Sequence, residues 1–156
     1  MIDIECMTEP SVEFLDAAYQ ELVERAKRLA EQYFEQAQQF LGEEGKSHVP
    51  ALISVQQISP NAWGFYWVRV HYVREDGKGN AVTRKIPKGP RHKYPQGAFS
   101  FVKGTLGRLV RNYENRLAEL RQLAAENRAL RKTTLAWAGR HQKALALETP
   151  FEGELA

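Results

Sequence analysis

The chain has 156 residues, 43% of them hydrophobic, with one cysteine and a formal net charge of +3. That length fits one domain, or one domain with an arm, and the composition supports a buried core rather than disorder. No run approaches the ~18 apolar residues of a membrane span, a lone Cys6 forms no internal disulfide, and the acidic start Met1-Ile2-Asp3-Ile4-Glu5 lacks the build of a signal peptide, so a reducing cytoplasm is expected and no membrane partner.

The first predicted element is a helix over 8–41. Thr8 and Ser11 are acceptable N-caps, and Pro10 suits a first turn. Leu15, Ala18, Leu22, Ala26, Leu29, Tyr33, Ala37 and Phe40 recur at steps of three and four, one face of a helix, and Gly42 and Gly45 end it. The period then changes. Residues 51–58, 63–74 and 81–86 read as strands, separated by the Ser59-Pro60-Asn61 turn and a loop over 75–80. In the second strand, Phe65, Trp67, Arg69, His71 and Val73 alternate with Tyr66, Val68, Val70, Tyr72 and Arg74. Val68, Val70 and Tyr72 are taken as the core side. Residues 87–97, with three prolines and two glycines, form an irregular loop. A second helix runs over 98–147, with a stripe from Leu106 to Trp137 interrupted by Asn127, and 148–156 reads as a flexible tail. The expected fold is therefore α+β in a single domain over 8–147: long helix, three-stranded antiparallel meander, long helix. The long apolar stripes suit coiled-coil-like packing and a homodimer.

Charge is segregated along this order. Residues 1–45 carry eleven acids against three bases; residues 46–147 carry nineteen bases against five acids. Such a basic segment meets a polyanion, folds against the acidic arm, or stays solvated. The sharpest signal is Arg84, Lys85, Lys88, Arg91 and Lys93, five cations in ten residues with His92 among them and no acid. Pro87, Gly89 and Pro90 keep them on a stiff loop, as phosphate recognition needs; the alternative is a solvated turn. Trp67, Arg69 and His71 form a candidate contact face, and Tyr94 reads as a loop anchor. Arg121, Arg128 and Arg131 share a helix side and would lie along a DNA backbone or an acidic helix. His48, His71, His92 and His141 show no metal-ligand spacing, and no P-loop, dinucleotide fingerprint or nucleophile motif is present. No catalytic residue, metal or cofactor is expected.

At Phe65-Tyr66-Trp67, at the loop ending Arg91-His92-Lys93-Tyr94-Pro95-Gln96-Gly97-Ala98-Phe99, and in the Arg-rich helix after it, the chain resembles the MobI family. These are small accessory proteins of conjugative plasmids and integrative conjugative elements. The resemblance implies a cytoplasmic auxiliary factor that acts at the origin of transfer and helps a separate relaxase. It assigns DNA contact to Lys88, Arg91, Lys93 and Tyr94, beside Arg69, Arg84 and Lys85 from the residues themselves. The expected function is thus a non-enzymatic DNA-binding accessory factor with DNA and relaxase as partners. The alternative is a coiled-coil-like interaction protein that binds an acidic protein and no DNA.

Overall fold

The computed structural model describes residues 3–46 and 48–154, apart from the side chain of Glu75. Met1 and Ile2 of the acidic start, and residues 155–156 of the expected tail, lie outside the described residues. The element order is α1 (Ile4–Glu43), β1 (Ala51–Ser59), β2 (Ala62–Glu75), β3 (Lys78–Lys85), a 3-10 turn (Gln96–Phe99), α2 (Gly104–Ala144) and a last 3-10 turn (Leu145–Glu148). This is the expected α+β arrangement. The sheet is antiparallel in the order β1-β2-β3. The chain forms two compact units, Glu21–Leu123 and the residues up to Gln20 together with those from Ala124 onward.

Local chemistry accounts for the boundaries. Helix α1 begins earlier than the sequence suggests because Asp3 caps it, its Oδ1 accepting the Cys6 N–H at 3.2 Å. Thr8 and Ser11 are not caps; their hydroxyls donate to the Ile4 and Met7 carbonyls one turn back. Pro10 consequently sits inside the helix. Gly45, at φ +70°, ends α1: its N–H reaches Gly42 O and the Lys46 N–H reaches Leu41 O, the paired bonds of a Schellman cap. Asp76 and Gly77, both at positive φ, make the two-residue turn that β2 and β3 need, so β3 starts at Lys78 rather than 81.

The core of the larger unit lies between the helices and one face of the sheet. Tyr33, Trp67, Val23, Val110 and Leu117 are fully buried there. The rings of Tyr33 and Trp67 meet edge to face at 4.9 Å, and Trp67 meets Phe99 at 5.3 Å. The Tyr33 hydroxyl donates to Ala51 O at 2.7 Å, and burial pushes that phenol well above its ordinary pKa. The sheet face expected to be buried is the wrong one. Phe65 and Trp67 point into the core, whereas Tyr72 is exposed and Val68 and Val70 are half-buried. Ala51, the first residue of β1, pairs with Arg69; beyond a last bond from the Val70 N–H to Pro50 O at 2.9 Å, β2 pairs with β3. Arg69 and His71 share the parity of Trp67, but Arg69 pairs with the first residue of β1 and His71 lies past it.

In the smaller unit, α1 and α2 are joined by polar bonds. Asn127 Nδ2 donates to Leu15 O at 2.9 Å, and Asp16 Oδ1 accepts from Arg128 and from Arg131, each at 2.9 Å. The Arg128 guanidinium also lies 4.0 Å from the Tyr19 ring centre. Burial disfavours the Asp16 carboxylate, but the two arginines outweigh it and hold its pKa below the usual value.

Candidate nucleic-acid interface

The loop between β3 and α2 is fastened at both ends to one residue. The Trp67 carbonyl accepts the Ile86 N–H at 3.0 Å, and the Trp67 N–H donates to Tyr94 Oη at 2.9 Å. A buried ion pair locks the same place from α2. Glu114, 3% exposed, accepts from Trp67 Nε1 at 3.1 Å and from the Tyr94 N–H at 2.7 Å. Arg121, 8% exposed and two helical turns further on, lies 2.9 Å from Glu114. Its Nε donates to Phe65 O at 2.6 Å and its Nη1 to His92 O at 2.8 Å, with the Tyr94 ring beneath it at 4.9 Å. Two charges thereby satisfy strand, loop and helix together, which is the geometry that buried charges require.

This anchoring sorts the candidate residues. Tyr94 is buried, with hydroxyl, ring and amide all engaged internally, and burial pushes its phenol pKa up. It is the loop anchor, and only 4% of it is exposed, as part of a wall of the cleft lined by Lys88, Arg91 and Lys93. Arg121 likewise is a structural bond and not part of a DNA-facing stripe, and Arg128 and Arg131 are occupied by Asp16. Lys88, Arg91 and Lys93 do come together. They line a cleft of about 720 Å³ with Arg111 of α2, whose other walls include Gln96, Asn115, Pro90, Pro95, Tyr94 and Phe99. The sequence reading does not single out Arg111; Arg108, Arg111 and Asn115, at steps of three and four, are the signal that could have found it. Lys88 Nζ donates to Gly89 O at 3.2 Å and to Arg91 O, curling the loop over its own backbone. Partial burial and the nearby Arg121 lower its pKa, against the opposing pull of Glu114.

The remaining candidates lie elsewhere on the sheet. Arg69 and Arg84 are direct cross-strand partners, and like charges so placed repel unless something offsets them. Phe101 supplies part of that offset, its ring centre 4.2 Å from the Arg69 guanidinium. Lys85 lies on the opposite face, 4.1 Å from the centre of the Tyr66 ring. That ring folds back over Gly64, where a Cβ would come within 2.1 Å of it.

Electrostatics favour an anion at the loop. Among the described residues, none of the ion pairs involves Arg84, Lys85, Lys88, Arg91, Lys93 or Arg111. The acids of α1 pair instead with Arg25, Lys27, Arg128 and Arg131, while Lys46 pairs with Glu44. A larger groove of about 1,080 Å³ in the smaller unit carries Asp3, Glu5, Glu9 and Glu13, a lining that repels phosphate. Among the described residues no group of three His, Cys, Asp or Glu side chains could hold a metal ion, and no helix is long and apolar enough to cross a membrane.

The fold is α+β, with a cationic loop between β3 and α2. Residues 22–135 match the family model described as MobI protein, most of the chain's length, and the chain belongs to that family. Membership carries a mobilisation-related accessory role. No curated protein and no solved structure matches the chain.

Proposed function

We propose that this protein is a non-enzymatic DNA-binding accessory factor for conjugative mobilisation, acting at the origin of transfer beside a separate relaxase. The observation that carries the reading is the cleft at the loop, where Lys88, Arg91, Lys93 and Arg111 converge without ion-pair partners among the described residues. The Glu114–Arg121 pair fixes the backbone that displays them, so little ordering is left to do on binding. Arginine forks at 91 and 111 suit bidentate phosphate contact, and Lys88 and Lys93 add point charges.

Fluorescence anisotropy with a labelled duplex carrying the transfer origin tests this, with a single strand of equal length alongside. Affinity should fall steeply with salt. Lys88→Ala/Arg91→Ala/Lys93→Ala should weaken binding and reduce the slope of log K against log salt by about 2–3, roughly one unit for each phosphate no longer neutralised. An unchanged slope in the triple variant refutes the assignment of this loop. Supercoiled DNA incubated with the protein alone should stay intact; nicking would refute the non-enzymatic reading.

A further inference from the structure

We infer that the smaller unit is half of a four-helix bundle, completed by a second copy of this chain through the face carrying Met7 and Phe14 of α1 and Leu130 and Trp137 of α2. This stands apart from DNA binding and uses none of the cleft residues.

Within this unit the helices run antiparallel. Leu15, Asp16 and Tyr19 meet Asn127, Arg128 and Arg131, while the earlier residues of α1 line one groove with 135–145 of α2. One residue is a 100° step round a helix. Met7 and Phe14 each lie one step back from Thr8 and Leu15, which face α2. Leu130 and Trp137 each lie one step back from Arg131 and Ala138, which face α1. In antiparallel helices equal backward steps fall on the same side of the pair, so the four side chains share a face. They are 58%, 71%, 57% and 49% exposed. On each helix the two are seven residues apart, the spacing of a bundle seam.

The composition of the face identifies its occupant. Its neighbours are Ser11 and Ala18 on α1, and Thr133, Thr134, His141 and Ala144 on α2, with Glu126 at one margin. His141 is stacked on Trp137 at 5.2 Å. A nearly uncharged surface has little to offer nucleic acid or a charged peptide. Two such faces are complementary to each other, which is what a two-fold dimer needs. The area also suffices. Residues 4–20 of α1 span about 25 Å, and two helices side by side are about 20 Å wide, giving about 500 Å² per copy and about 1,000 Å² in all, the size at which specific interfaces begin.

Sedimentation equilibrium of the full chain tests the inference. The wild type should fit a monomer–dimer equilibrium, and Phe14→Glu/Trp137→Glu should be monomeric with unchanged far-ultraviolet circular dichroism. If that variant loses helicity, Leu130→Ser alone is read the same way. A nitroxide on the exposed Cys6 gives a second readout: dipolar coupling between two spins in the wild type, absent in the monomeric variant. The Lys88/Arg91/Lys93 variant should dimerise as the wild type does. A wild type that stays monomeric at its highest soluble concentration, assembly beyond dimers, or a face variant that dimerises normally would each overturn the proposal.

Discussion

Replacing Glu114 with glutamine keeps the shape of the side chain and removes its charge. The amide oxygen can still accept from Trp67 Nε1 or the Tyr94 N–H, but its NH₂ is then set against the Arg121 donors 2.9–3.2 Å away. A guanidinium 8% exposed is left without a counter-charge. Breaking one side of a buried pair costs about 3–5 kcal/mol. For a chain of this size that corresponds to a melting temperature lower by about 10 °C. The assay is urea unfolding followed by the fluorescence of Trp67 in a Trp63→Phe/Trp137→Phe background. The pair is also a fastening, so Glu114→Leu/Arg121→Met should not recover stability: Phe65 O, His92 O, the Tyr94 N–H and Trp67 Nε1–H would all be left without partners, each at about 1–3 kcal/mol. A loss below about 1 kcal/mol in Glu114→Gln, or full recovery in the double variant, refutes the account of the site's rigidity.

Two further perturbations probe other parts. Gly107→Ala places a Cβ 2.5 Å from the Val102 carbonyl oxygen, so α2 must shift from the turn before it; a loss of about 1–3 kcal/mol in urea titration is expected. Asp16 has a depressed folded pKa, so its ion pairs stabilise above the unfolded carboxyl value and are lost as pH falls through the folded one. Asp16→Asn should flatten the stability–pH profile in the acid limb below about pH 4 and leave the limb above neutrality unchanged, as followed by circular dichroism at 222 nm.

Much of the architecture is legible in the sequence because the signals are local. Steps of three and four mark α1 and α2, Gly45 marks a stop, and Asp76-Gly77 marks a hairpin. The buried face of β2 is not legible. Both of its faces are apolar near Phe65 to Val70, and Arg69 and His71 make the true core face look polar. What decides the matter is that β1 begins only at Ala51, opposite Arg69, a fact of pairing. The loop cations are legible because five of them crowd ten residues. Arg121 is not: it shares its spacing with Arg128 and Arg131, yet its partners are Glu114 on its own helix and carbonyls 29 and 56 residues away. Nor do seven and three residues between arginines reveal that Asp16, more than a hundred positions earlier, holds two of them.

Trp67 clasps the chain at Ile86 and again at Tyr94, and in the segment between these two clasps, among the described residues, only the His92 carbonyl is tied to α2, through Arg121. Its tip residues bear little of the folding load. On the proposed function, substitutions at 88, 91 and 93 should change binding while the Trp67 clasps and the Glu114–Arg121 pair stay the same. If the loop is the binding element proposed above, its sequence can drift without drift in stability, and a different tip can be grafted between those two clasps.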